Sequence, residues 1–165
     1  MKSSLMFSVY TFACLLVNAC FFLPCVATEQ VPNVAIYTIR GERFILHELL
    51  DALPEDGVAM LNFTSVNCLP CKKEIPELCT IAGKANNVKL LCIYAEEAGI
   101  AGSHAKKMSI YDCSYVDAFG VVQAKFGVKK YPVTILINKK REIVGRFEGY
   151  TVENIEAIKR IVTLR

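Results

Sequence analysis

Met60-Leu61-Asn62-Phe63-Thr64-Ser65-Val66-Asn67-Cys68-Leu69-Pro70-Cys71-Lys72-Lys73-Glu74-Ile75-Pro76-Glu77-Leu78 joins two kinds of periodicity. The apolar run Val58 to Phe63, bounded by Gly57, reads as a buried strand. Beyond the second cysteine, Leu78, Ile81, Ala82 and Ala85 recur at helical spacing. A Cys-x-x-Cys pair lies between the two. That order puts Cys68 at the mouth of a helix, where unpaired backbone N–H groups and the positive end of the dipole favour an anion. A thiolate is such an anion, and a Cys-x-x-Cys cysteine so placed can have its pKa lowered to roughly 3.5–7.5. The chemistry that follows is attack of the Cys68 thiolate on a disulfide. Cys71, one helical turn on, resolves the mixed disulfide.

The strand, Cys68-Leu69-Pro70-Cys71 and the Lys-x-Glu-x-Pro-x-Leu continuation (Lys72, Glu74, Pro76, Leu78) resemble the thioredoxin superfamily. Within it they are most similar to the extracytoplasmic TlpA/ResA-type thiol–disulfide oxidoreductases, over residues 32 to 163. Cytosolic thioredoxins place Trp before the first cysteine and Gly-Pro between the pair. Here Asn67 and Leu69-Pro70 stand there, and the chain has no Trp. The resemblance implies an α/β fold: a thioredoxin-like three-layer sandwich, its central mixed sheet covered by helices on both faces, with an N-terminal β-hairpin and a central insertion.

It also implies an exported reductant of protein disulfides, with a redox-active Cys68–Cys71 disulfide and no other cofactor. Implied partners are protein substrates with cysteine pairs, such as apocytochrome c or copper-site proteins of respiratory oxidases. A membrane thiol-electron donor would re-reduce the pair. Pro132 matches the superfamily's cis-proline, although a trans proline opening an edge strand fits composition equally well. Tyr131 and Pro132, with Leu69 and Pro70, are the implied substrate contacts. Thioredoxins often carry a buried acid at the strand position held here by Asn62. Glu74 matches the glutamate that ResA-like proteins place near the pair, so it is expected to replace that acid and tune the thiols; otherwise it is an ordinary surface residue. Pro76 matches a helix kink. The exposed-looking Lys72 and Lys73 receive no role.

The 165 residues support one domain, and a net charge of +3 is too small for a nucleic-acid surface. The short Lys and Arg pairs read as a solvated face. Of the eight cysteines, Cys14, Cys20 and Cys25 lie in the N-terminal apolar segment. Cys79, Cys92 and Cys113 remain beside the motif, and no spacing suggests a zinc site, so no metal ligands are assigned. Cys92 reads as a small core residue and Cys79 as helix packing. Cys113, in a turn-like Tyr111-Asp112-Cys113-Ser114, is expected to be the most exposed, either an inert thiol or a third redox partner. His47 and His104 read as surface residues rather than ligands.

Residues 1–27 open with Lys2, run apolar, and end on small residues at Cys25-Val26-Ala27. They read as a signal peptide cleaved near Ala27, then as a membrane anchor, and last as a lipoprotein leader at Cys20. All three place residues 28–165, the thioredoxin-like domain, outside the cytoplasm. Thr28 to Pro32 reads as a linker, Val34–Ile39 and Arg43–Leu46 as a hairpin, and His47–Leu53 as a helical turn. Strands are expected at Val88–Ala95, Ile110–Asp112, Val133–Ile137 and Glu142–Phe147. Helices are expected at Glu96–Lys107 and Asp117–Phe126, and from Thr151 to Leu164. Other readings stand beside the reductase. Two thiolates on this scaffold could bind and deliver copper(I). A peroxiredoxin would need a Thr three residues before the cysteine, and that position is Ser65. A domain that has lost its activity would not be expected to keep Cys68, Cys71 and Glu74 together.

Overall fold

The computed structural model describes residues 30–164; the segment read as a signal peptide or anchor lies outside the described residues. β3 (Val58–Thr64) is buried at every position. It can be, because it lies inside the sheet, parallel to β4 (Val88–Tyr94) and antiparallel to β6 (Val133–Asn138). A strand covered on both faces reads as a continuous apolar run rather than an alternation. The sheet has seven strands in the order β2-β1-β5-β4-β3-β6-β7, with β1 (Ala35–Thr38), β2 (Arg43–Ile45), β5 (Ser114–Val116) and β7 (Ile143–Glu148) completing it. The N-terminal hairpin is joined through β1, which pairs antiparallel with β5.

Alternate side chains of β3 feed two cores. Ala59, Leu61 and Phe63 face α1 (Leu46–Asp51) and α4 (Val121–Lys125), together with Leu46, Leu50, Val122 and Phe126. Val58 and Met60 face α2 (Leu69–Lys84), α3 (Ala98–Lys107) and α5 (Val152–Thr163), with Ile75, Leu78, Ala101 and Ile158. The thioredoxin-like sandwich implied by the sequence is the observed fold.

Several boundaries differ from expectation, each for a local reason. Ile110–Asp112 is not a strand: Tyr111–Cys113 is a 3-10 turn and the strand begins at Ser114. The Asp117–Phe126 helix is shorter, Val121–Lys125, because Asp117 stays outside and its carboxylate accepts from the Val122 and Gln123 N–H groups at 3.0 and 2.7 Å. Gly120, at φ 67°, makes the turn between them. Glu96 lies ahead of α3 rather than in it. The supposed linker is partly docked: Val31 is buried, Gln30 bridges to Glu142, and the Val31 carbonyl lies 2.9 Å from His47 Nε2. His47 is thus tied to the backbone rather than free at the surface.

Candidate active site

β3 runs out at Thr64, and the chain turns into α2 through Ser65-Val66-Asn67. Cys68 is the N-cap of α2, in extended conformation, and its sulfur accepts from the Cys71 N–H at 3.2 Å. Cys68 and Cys71 form a disulfide with Cα atoms 5.2 Å apart. Cys68 is half-buried and Cys71 only 1% exposed. Leu69, 71% exposed, and Pro70 form the outer surface of the pair. Pro70 fits the first turn, whose N–H groups have no helical partner. Lys72 and Lys73 are exposed.

β6 runs antiparallel to β3, so its start lies at the same sheet edge as the disulfide. The Tyr131–Pro132 bond leading into it is cis, the conformation that the resemblance favoured. Pro132 is buried and its carbonyl accepts from the Gly149 N–H at 2.9 Å. The Tyr131 hydroxyl donates to Gln123 Oε1, tying this loop to α4. Burial raises the Tyr131 hydroxyl above its ordinary value, with Glu96 and Asp117 adding to it.

Glu74 lies one turn beyond Cys71 on the buried face of α2 and is itself 1% exposed. Asn62 Nδ2 donates to its Oε2 at 2.8 Å and to Thr134 Oγ1 at 3.0 Å; Thr134 Oγ1 donates to Glu74 Oε1 at 3.2 Å. Asn62 of the strand therefore holds an acid supplied by the helix. Burial pushes the Glu74 carboxyl up to about 7, against the lowering effect of the Asn62 and Thr134 hydrogen bonds. Glu74 is not a surface residue, and the surface alternative is discarded.

Sequence reasoning missed three further groups at this edge. Glu96 Oε1 accepts from Ser65 Oγ at 2.5 Å and from the Val66 N–H at 3.1 Å, clamping the loop before Cys68. Its Oε2 is buried without a partner among the described residues. His104 is not simply solvated: its Nδ1 lies 3.0 Å from the Tyr94 hydroxyl. Burial lowers its pKa, and Lys72 acts in the same direction. Thr134 was read only as a strand residue. A polar residue within an otherwise apolar central strand was the available signal, in both Asn62 and Thr134.

A thioredoxin-like sheet carrying a Cys-x-x-Cys disulfide at a helix N-terminus, beside a cis-proline, defines a thiol–disulfide oxidoreductase. No family model matches the chain. The thiol–disulfide oxidoreductase ResA of Halalkalibacterium halodurans is 31% identical over 144 residues, 81% of this chain and 77% of that protein. ResA of Bacillus thuringiensis subsp. konkukian is 26% identical over 141 residues, 82% of this chain and 78% of its own. Among solved structures, a secreted Mycobacterium tuberculosis disulfide oxidoreductase homologous to Escherichia coli DsbE superposes with a TM-score of 0.67 at 20% identity, covering 81% of this chain and 96% of that one. StoA from Bacillus subtilis gives 0.62 at 21% identity, covering 79% and 96%. The chain belongs to the ResA family of thiol–disulfide oxidoreductases.

Proposed function

We propose that this oxidoreductase works outside the cytoplasm as a reductant of cysteine pairs in exported proteins, apocytochrome c before haem attachment being the substrate class that fits the ResA relatives. A membrane thiol-electron donor returns it to the dithiol state, and residues 1–27 serve as leader or anchor. The observation that carries this reading is the asymmetry of the pair: a half-buried Cys68 at a helix N-terminus over a buried Cys71 backed by Glu74.

In the reduced protein the Cys68 thiolate, favoured by the N–H groups of the first turn, attacks one sulfur of a substrate disulfide. A Cys68–substrate disulfide forms and the substrate's other sulfur leaves as a thiolate. Cys71 is 1% exposed, so water has little access to its proton. The Glu74 carboxylate, at about 7 poised near neutrality, takes that proton. The Cys71 sulfur then attacks Cys68, closing the internal disulfide and releasing the substrate's second thiolate. Leu69, Pro70 and the Tyr131-Pro132 backbone receive the substrate chain at the sheet edge.

The test is trapping. Cys71→Ser in the exporting cell should accumulate Cys68-linked mixed disulfides, and the trapped proteins should be exported and carry cysteine pairs. Capture of cytoplasmic proteins alone, or Cys68-dependent peroxide consumption by purified protein exceeding its disulfide reduction, would overturn the reading.

A further inference from the structure

A second group of sulfurs lies away from the Cys68–Cys71 disulfide. Cys92 is wholly buried on β4, and its Cα is partnered with Ser114 in the parallel ladder to β5. Cys113 directly precedes Ser114 and closes the Tyr111–Cys113 turn. Had the strand continued back through Cys113, its side chain would point to the opposite face. The turn rotates it, and Cys113 packs against the same core that contains Cys92. Cys113 thus adjoins the position opposite Cys92 and lies on the same side of the sheet.

The two thiols have unequal surroundings. Cys113 is half-buried. The neighbouring Cys113 thiol and burial hold the Cys92 thiol well above its ordinary value. Cys92 in turn brings the Cys113 thiol below its ordinary value despite burial; its own backbone N–H and Lys89 help, and Asp112 opposes. The Ile110 carbonyl, 3.2 Å from Cys113 Sγ, accepts the proton of the neutral thiol. Cys79 on α2 is a third thiol nearby, and burial and Cys113 hold its pKa up.

We propose that Cys113 and Cys92 form a second redox site, in which Cys113 reacts with a small hydroperoxide and Cys92 resolves the product into an internal disulfide. The Cys113 thiolate attacks the terminal peroxide oxygen. The O–O bond breaks, the alcohol or water leaves, and Cys113 becomes a sulfenic acid. Cys92 sulfur then displaces that oxygen, its proton leaving with it as water, and the Cys92–Cys113 bond forms. Overall two thiols are oxidised by two electrons and one hydroperoxide is reduced. A protein disulfide is the wrong oxidant here, because Cys113 ends a 3-10 turn and has neither the helix N-terminus nor the exposed apolar neighbour that Cys68 offers a protein chain. A small peroxide needs no such docking surface.

The experiment uses the full chain carrying Ser in place of Cys14, Cys20, Cys25, Cys68 and Cys71, reduced and then exposed to one equivalent of hydrogen peroxide. Non-reducing peptide mapping should find a Cys92–Cys113 cross-link, two hydrogens lighter than the separate peptides. Adding Cys92→Ser should instead let dimedone trap the sulfenic acid on Cys113. Adding Cys113→Ser should remove both products while leaving Cys79 and Cys92 as thiols. Absence of the cross-link in the folded chain, a Cys79–Cys113 bond in its place, or dimedone reacting faster at Cys79 would overturn the proposal. The mapping result on the chain that keeps Cys79, Cys92 and Cys113 decides it without depending on whether the further variants fold.

Discussion

Cys68 over Cys71 and Cys113 over Cys92 share one asymmetry, a half-buried sulfur above a buried one, but differ in what lies outside the first sulfur. Cys68 caps a helix of 16 residues and has Leu69, 71% exposed, beside it. Cys113 ends a turn of 3 residues and is followed by buried Ser114 and Tyr115. The first pair presents a helix terminus and an apolar contact surface; the second presents a half-buried sulfur with neither. The size of the reaction partner follows from that difference. Glu74 is common to both, since its charge also helps to raise the Cys92 thiol.

The sharpest break of the comparison is removal of each accessible sulfur in turn. Cys68→Ser should reduce insulin disulfide reduction to the uncatalysed background, because no other thiol among the described residues caps a helix. Cys113→Ser should leave that rate within about twofold, since Cys113 lies away from the Cys68–Cys71 disulfide and its helix terminus. An equal loss in both would mean that the two pairs work in series rather than separately.

Next in size is Glu74→Gln, which imitates the protonated acid. Loss of a positioned proton acceptor should lower the exchange rate at pH 7 by roughly 10²-fold. Stability should move the other way. The folded pKa, about 7, lies above the reference value of 4.5. Below 4.5 both states are protonated and the neutral carboxyl is buried without penalty. As pH rises from 4.5 to about 7 the unfolded chain ionises first, so wild-type stability falls through that window. The gap corresponds to roughly 3 kcal/mol, which Gln does not lose. Urea unfolding of the oxidised proteins at pH 4 and pH 8 measures it. Parallel curves for the two proteins would show that burial does not perturb Glu74.

Asn62→Ala should cost about 1–3 kcal/mol, because Glu74 Oε2 and Thr134 Oγ1 lose their donor in a site that water does not reach. The Asn62 hydrogen bond lowers the Glu74 pKa. Its loss should therefore move the upper end of the pH window above that of the wild type, in the same urea series.

The Asn62–Glu74–Thr134 group shows where the sequence was legible and where it was not. The strand, the helix and the cysteine pair follow from local order: an apolar run, a Cys-x-x-Cys, then helical spacing. Glu74 could be singled out by its distance from Cys71 within one helix. Its contact with Thr134 spans 60 positions, and no local pattern encodes the antiparallel register of β3 and β6 that makes it. The same holds for Glu96 with Ser65 and for Cys92 with Cys113, which depend on parallel ladders between β3, β4 and β5. The misplaced strand near residue 110 has a different cause. Three residues of a 3-10 turn and three of a strand share too little periodicity to be told apart. Asp117 was read as the start of a helix when its side chain was the acceptor outside it.

The smallest expected effect on the fold, and the finest test of what separates the two pairs, is Leu69→Ser. Leu69 is 71% exposed in the first turn of α2, so its removal takes little apolar area out of the core. Stability should change by less than about 0.5 kcal/mol. If Leu69 lies against the substrate chain, partial burial of its side chain is worth about 1 kcal/mol, or roughly fivefold in KM for a disulfide-bonded peptide. The reaction of Cys68 with a small disulfide such as oxidised glutathione should not change to the same degree, because so small a partner covers little of Leu69. A fivefold rise for the peptide with an unchanged small-disulfide rate assigns Leu69 to recognition. An equal slowing of both reactions assigns it to the geometry of the helix terminus instead, and the contact surface that distinguishes Cys68 from Cys113 must then be supplied by the Tyr131-Pro132 loop.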